Sequence, residues 1–451
     1  MADDITADDG AAGEAAPRKP LISFAPLRHP AYARLWTGAF ISNIGTWMES
    51  IALGIYVTKH TNQAAWTGTV AAAAFLPIAF FSPIGGALAD RYPRRLLMIV
   101  TSLVQTALAS LLTVLFVVGH PSAPTITLIA LGNGMCAALG FPSFQAMLPD
   151  LVPVEDLPGA IALSSAQYNL GRVVGPAIAG VVIYVGGVAG TSTRGFAWAE
   201  AVNAVSFLAV VTVMLLITLP PPSAGARRER FFRSIADGFG FVRRDPGLRI
   251  TAFAMCLNTF FAAPFIALVP AMALKVLHSG SAGTTVLITA QGIGAVLMAF
   301  SLGSLVERYR ARRVLMTLMS LLPIALAAYA VAPDLALSAF AIFAVGLLYL
   351  GALSSFTTIA QLRVPTEIRG RVLSVFTVIL GSLYPLGSII QGKVADHVGL
   401  RTTTLASAVL MAAVMVATRL VRPGVTAAID EPANPLEMVG SPSMTPPLAH
   451  D

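Results

Sequence analysis

Charge is what this chain lacks most. Asp, Glu, Lys and Arg make up only 11% of its 451 residues, while 56% are hydrophobic. Soluble globular domains carry about 25% charged residues, so the shortfall points away from a soluble fold. The stretch from Leu96 to Pro149 contains no Asp, Glu, Lys or Arg at all. It is long enough for two helical crossings of about 20 residues each, with His120-Pro121-Ser122-Ala123-Pro124 as the turn between them. Cysteine is scarce as well. Cys136 and Cys256 are the only two, both in apolar stretches, so neither a disulfide framework nor a thiolate metal site is available. No Gly-Lys-Ser/Thr phosphate loop occurs, and no metal-ligand spacing or hydrolase motif is present. These absences argue against ATP as the energy source and against an enzyme.

What is present is a series of long apolar runs, separated by Pro, Gly and charge. Twelve candidate spans emerge, six between residues 33 and 218 and six between 250 and 421. Backbone polar groups in lipid must be satisfied internally, which leaves helices or closed barrels. The ten-residue alternation of barrel strands is missing. The expectation is therefore an all-α membrane protein with twelve transmembrane helices in two six-helix bundles. The ends differ in character. Residues 1–30 carry five acids before their first base and no apolar core, which fits a disordered cytoplasmic tail and not a cleaved signal. Residues 423–451 read as a second such tail. Between the bundles, 31–218 and 250–422, lies a basic linker at 219–249.

Basic residues in the loops set orientation. With both termini in the cytoplasm, 24 of the 29 Lys and Arg residues fall on the cytoplasmic side. The net charge of +7 is then a product of membrane insertion and attraction to anionic lipid headgroups, and nucleic acid is not an expected partner.

The two halves also repeat. Residues 85–98 read GGALADRYPRRLLM and residues 303–316 read GSLVERYRARRVLM. Gly86, Asp90, Arg91, Arg94 and Arg95 follow the second span. Gly303, Glu307 and Arg308 follow the eighth, at an offset of 217, with one residue inserted before the next Arg pair. Arg28-His29-Pro30 and Arg244-Asp245-Pro246 precede the first and seventh spans. Val152-Pro153-Val154-Glu155 and Val364-Pro365-Thr366-Glu367 follow the fourth and tenth. Three matches in equivalent loops mark parallel repeats of six helices.

Two six-helix repeats, a basic linker and this loop motif resemble the major facilitator superfamily, over about residues 28–422. The loop after the second span is similar to that superfamily's Gly-x-x-x-Asp-Arg/Lys-x-Gly-Arg-Arg signature, with Pro93 in the place of the second Gly. The run Phe40–Met48, together with Leu151–Leu157, looks like the bacterial branch that contains siderophore exporters of the enterobactin type. In the fifth span, Gly171, Gly175, Pro176 and Gly180 are similar to the antiporter motif of exporters, with Ala179 replacing one Gly. The plainer reading of this segment is close helix packing, because small residues four apart recur in many spans. The fourth span departs from the pattern of many proton-coupled drug exporters. Residues 128–137 hold no Arg, which puts any coupling scheme that needs one in doubt.

The resemblance implies a secondary active exporter of a small amphipathic molecule, siderophore or drug-like, that alternates access in the bacterial inner membrane. It would work as a monomer, need no cofactor and use the proton gradient. Uniport or import of a small solute stays open, as does a transporter-like sensor. The resemblance also implies a gating latch. Asp90 would accept hydrogen bonds at the start of a helix in the other half, near Gly370, where free N–H groups favour an anion. Gly86 would allow close contact, and Glu307 and Arg308 would form a weaker counterpart. Positive-inside topology alone accounts for the arginines but not for the acid and glycine spacing.

Glu49 is the one acid well inside a predicted span. A carboxylate there faces a cavity or a partner, or carries a proton. Ser42, Gly45, Thr46, Glu49 and Tyr56 share one helical face, which suggests a cavity lining, with Glu49 the candidate for proton coupling or for a cationic group. An interfacial Glu near the outer surface is the competing reading. Arg172, about 13 residues into the fifth span, is the matching base. It either snorkels toward the cytoplasm or meets an anionic substrate group. Asn258 and Gln291 are further candidates for the substrate path. The remaining amides within spans, Asn133 and Asn203 among them, read as hydrogen bonds between helices. Glu200, near a span end, reads as interfacial.

Overall fold

The computed structural model describes residues 24–186, 193–218 and 231–430. The tails 1–23 and 431–451, and the first part of the linker, lie outside the described residues. The first bundle contains α1 (Pro30–Thr61), α2 (Ala64–Arg91), α3 (Arg94–Val118), α4 (Ala123–Leu151), α5 (Leu157–Gly186) and α6 (Arg194–Leu216). A short helix of the linker, α7 (Phe231–Arg244), follows. The second bundle opens with a broken span, α8 (Pro246–Leu257) and α9 (Phe265–Ala271). It continues with α10 (Gly280–Tyr309), α11 (Ala311–Val331), α12 (Leu335–Arg363), α13 (Thr366–Val398) and α14 (Leu400–Val421).

Eleven stretches among the described residues are long and apolar enough to cross a membrane, with α8 and α9 counted as one. The twelfth span is α1, whose 32 residues include Ser42, Asn43, Thr46, Glu49 and Ser50. Those polar residues lower its hydropathy and already mark it as a helix with work beyond spanning.

Helix boundaries follow from local chemistry. Pro30 and Pro246 sit at the first helical positions of α1 and α8, where a missing N–H costs nothing. Ser122, Asp245 and Asp334 cap α4, α8 and α12 by accepting from Thr125, Leu248 and Leu337 amides at 3.3, 2.7 and 2.9 Å. Asn62 ends α1 with φ 52°, the left-handed conformation that Asn tolerates best after Gly. The start of α2 has no cap of its own.

The seventh span is interrupted by two wide π turns, Asn258–Ala262 and Met272–Val276. Gln391 of α13 turns its amide to the carbonyls of Phe260 and Phe261 at 2.9 and 3.2 Å, so the interruption is met by a partner helix. Such turns concentrate at functional sites.

Both halves carry a similar bracket, with the carboxylate on the opposite side of the pair. In the first, His29 before α1 pairs with Asp156 before α5 at 2.8 Å. In the second, Asp245 before α8 pairs with Arg363 at the end of α12 at 2.9 Å. The basic segments match too. The Arg91 guanidinium lies 5.8 Å from the Tyr92 ring, and that of Arg308 lies 5.4 Å from the Tyr309 ring. The residue inserted in the second segment is absorbed at Arg310, which takes φ 65°.

The bundles meet along two seams, α2 against α13 and α5 against α10. Within the first bundle α1 lies between α5 and α6, and α2 packs on α4. All the basic loops lie at one end of the bundles, hereafter the arginine-rich face. The loops between α1 and α2 and between α13 and α14 lie at the opposite face.

Candidate functional site

Arg172 makes a buried polar contact between the two bundles. It is buried in α5, its guanidinium lies 5.4 Å from the Trp47 ring of α1, and Nη2 donates to Gln291 Oε1 of α10 at 3.4 Å. Two residues singled out from the sequence, in different halves, are thus brought together. Three tyrosines lie in the neighbourhood. Tyr168 packs edge-on to Trp47 at 5.8 Å, and Tyr349 of α12 and Tyr384 of α13 lie within electrostatic reach of Arg172. Phe75 of α2 closes on Tyr384 at 5.1 Å. A guanidinium beside aromatic rings, with a buried Gln291 Nε2 that has no hydrogen-bond partner, offers donors, π faces and apolar contact. That is the chemistry an amphipathic molecule requires.

The glycines of α5 explain why Arg172 can bridge. A Cβ at Gly175 would stand 2.7 Å from Trp47 Cβ and 2.8 Å from the Ile44 carbonyl. One at Gly180 would stand 2.5 Å from Thr285 Oγ1 of α10. With Gly171 against Asn43, the helix is pinned to α1 on one side and to the other bundle on the other. Pro176 lies inside the same helix.

The face of α1 expected to line a cavity lies differently. Glu49 and Tyr56 turn into the first bundle, away from Trp47. Asn133 of α4 donates to Glu49 Oε1 at 2.7 Å, and Asn203 of α6 donates to Oε2. Tyr56 gives its hydroxyl to the Pro121 carbonyl at 3.2 Å and packs against Phe116 and Phe196. Ser42 is half-buried and Thr46 exposed. Asn258 is fully buried in the first π turn, and neither end of its amide has a partner. The structure records no contact between Asn258 and Arg172, and the π turn that carries Asn258 packs against α13 and α14 among others.

Glu200 corrects the sequence reading. Expected at the interface, it is 0% exposed, and neither carboxyl oxygen has a hydrogen-bond partner. It is only six residues into α6, but its face of that helix is turned onto α1. Depth from a span end says nothing about facing. The signal available was Asn203, one turn on, which places two polar side chains on one face.

The latch residues divide. Arg94 donates to Asp150 at 2.6 Å and to the Ala146 carbonyl at 2.7 Å, and Arg95 donates to the Leu215 carbonyl at 3.1 Å. These two staple α3 to α4 and α6 within one bundle. Asp90 and Arg91 are exposed, as are Gly303, Glu307 and Arg308. A Cβ at Gly86 or at Gly370 would meet nothing within 4 Å, so the close approach that the resemblance implies is not made here. The start of α13 packs against α7 instead, with Arg371 and Asp237 3.4 Å apart.

The opposite face is tied shut. Asp396, near the end of α13, accepts from the amides of Ala64 and Ala65 at 2.7 and 2.9 Å and so caps α2 from the other bundle. Lys275 reaches the Asn62 carbonyl at 2.7 Å, and Lys59 reaches Ser281 at 2.8 Å. The bundles are thus joined at this face, while neither Gly86 nor Gly370 is in close contact at the other.

The family model described as transmembrane secretion effector, within the major facilitator superfamily, matches residues 21–447. The chain belongs to that family. It is a multi-pass membrane transporter and not an enzyme. Macrolide efflux protein A of Streptococcus pyogenes is 25% identical over 389 residues, covering 84% of this chain and 92% of that protein. Multidrug efflux pump Tap of Mycolicibacterium fortuitum is 27% identical, over 84% and 92%. The enterobactin exporter EntS of Escherichia coli is 27% identical, over 84% and 88%. Among solved structures, a bacterial homologue of the lysosomal transporter Spinster, inward-facing and occupied, aligns with TM-score 0.72 at 14% identity over 91% of this chain and 99% of its own. The nucleoside transporter NupG aligns with TM-score 0.66 at 15% identity over 86% and 98%. These neighbours establish the fold as that of the major facilitator superfamily.

Proposed function

We propose that the chain exports a small amphipathic molecule, siderophore or drug-like, from the cytoplasm across the bacterial inner membrane by proton antiport. The observation that carries this is the contact of Arg172 with Trp47 of α1 and with Gln291 of the other bundle, a polar and aromatic centre between two bundles that are locked at one face. Both termini and the arginine-rich face are cytoplasmic, so this arrangement is open inward. The named efflux proteins share most of their length with the chain, which supports the outward direction. Glu49 is the coupling group, and one chain suffices for transport. A guanidinium at the centre favours a substrate with an anionic or hydrogen-bond-accepting group.

The test is uptake into inverted vesicles under an imposed pH gradient, with a labelled macrolide and enterobactin as probes. Accumulation that collapses with the gradient supports proton-driven export. Equilibration without accumulation indicates uniport. No movement of either probe overturns this substrate class.

A further inference from the structure

Glu49 and Glu200 stand on facing helices with no base between them. Gly45 brings α1 against Asn203 and Ser206 of α6. One turn along α1 is Glu49, 6% exposed, and one turn back along α6 is Glu200, 0% exposed. Glu49 acts electrostatically on Glu200, and among the described residues neither is recorded in an ion pair. The surrounding elements supply little else that ionises. On α3 there is nothing between Arg95 and the helix end, and on α2 nothing between Ala64 and Asp90. On α4 there is Cys136, one turn from Asn133, and Asp150 at the far end. On α5, Arg172 and Tyr168 are turned to Trp47. On α1, Tyr56 is committed to Pro121, and Lys59 and His60 lie at the opposite face. Arg194 begins α6, and beyond α9 Lys275 is bound to Asn62.

Two ionised carboxylates in such a place would each carry a desolvation cost of several kcal/mol and would repel one another. The donors are distributed unequally. Both oxygens of Glu49 accept from an asparagine amide, while Glu200 accepts nothing. The negative charge therefore belongs on Glu49 and a proton on Glu200.

We propose that Glu49 and Glu200 form a single one-proton site inside the first bundle. Asn133 is its switch. Its Oδ1 is buried without a partner, so the amide is free to turn over and accept from a protonated Glu49. Proton transfer then breaks one O–H bond on Glu200 and forms one on Glu49, and the amide flip follows. The site is linked to the substrate centre through α1, which packs against α5 and α6. Trp47 and Glu49 are two residues apart and point about 160° away from each other, so one movement of α1 changes both surroundings. The role in transport rests on the exporter reading, whereas the proton site does not, and its test needs no substrate.

The full chain is reconstituted in lipid, and the carbonyl-stretch band of protonated carboxyl groups is followed by infrared spectroscopy across pH. The wild type shows the band at neutral pH. Glu200→Gln removes it, and Glu200→Asp, which keeps an acid there, restores it. Glu49→Gln keeps the band and moves the pH at which it disappears by about one unit or more, because the neighbouring charge is gone. A wild-type band that survives Glu200→Gln undiminished overturns the assignment of the proton. A midpoint unmoved by Glu49→Gln overturns the pairing. Either result can occur with export intact, and failed export leaves both readouts standing.

Discussion

Asp396 of α13 caps the start of α2 from the other bundle, as the latch reading expects Asp90 of α2 to cap the start of α13. The two helices run antiparallel along one seam, and each ends in Gly-x-x-x-Asp: Gly86 to Asp90, and Gly392 to Asp396. A Cβ at Gly392 would stand 2.8 Å from the Ala64 carbonyl, whereas one at Gly86 would meet nothing. One contact is therefore made, and its counterpart at the other end of the seam is not. Helix starts carry unpaired N–H groups and a positive dipole end, so the latch reading predicts that each helix start is capped by the other helix's acid in alternate states. Loss of the Asp396 cap costs about 1 kcal/mol. Asp396→Ala should accordingly shift the population away from the state closed at this face, by roughly fivefold. Spin labels at positions 63 and 397 should report a longer distance. An unchanged distance distribution would show that Asp396 is a cap without a gating role.

Asp90→Ala should act in the opposite direction. It removes the acid from the latch that is open here, so it should favour the present arrangement and shorten the mean distance between the same labels. Transport should fall while membrane abundance stays near normal. The two acids lie at opposite faces, and distant effects add. The double variant should return the distribution close to that of the wild type. If the double variant matches Asp90→Ala alone, the two latches do not compete.

Arg172→Lys should look conservative and not be so. Lys keeps the charge but loses the flat guanidinium that stacks on Trp47 and the fork that reaches Gln291. A hydrogen bond to a charged group is worth about 1.5–3 kcal/mol. Probe affinity should therefore fall roughly tenfold or more. Trp47 reports the change without any probe. In a chain with Trp36, Trp66 and Trp198 replaced by Phe, its emission should shift on Arg172→Lys. An unshifted emission would place the guanidinium elsewhere in the membrane.

Much of the fold was legible because the bilayer imposes simple rules. The charge-free run 96–149 became α3 and α4, and the paired basic segments marked the duplication. Arg172 and Gln291 were legible as polar residues in apolar helices, but their contact was not, since it joins positions 119 residues apart in different repeats. Asp396 was missed for a related reason. Its role depends on a helix start 332 residues away, although its Gly-x-x-x-Asp spacing repeats that of Gly86 and Asp90. The π turns in the seventh span leave no sequence pattern of their own. Pro264 and Pro270 were the only hint that this helix would not run straight.

Glu49→Gln decides whether the acid in α1 drives transport. The substitution keeps the shape of a protonated carboxyl but gives one oxygen to a pocket where Asn133 and Asn203 both donate. A second donor left facing an N–H group would cost about 1–3 kcal/mol. The pocket has a way out, because Asn133 can turn over and accept from the new amide through its unpartnered Oδ1. The variant should therefore insert and fold. It should still exchange a labelled macrolide or enterobactin down its gradient, with little dependence on pH, and should fail to concentrate either probe when a pH gradient is imposed. Glu49→Asp keeps the charge on a shorter arm, within reach of one asparagine, and should retain part of the pumping. If Glu49→Gln accumulates probe as the wild type does, the proton is carried by another group. Glu200 is then the first to test, since it is the other acid buried on this face of α1.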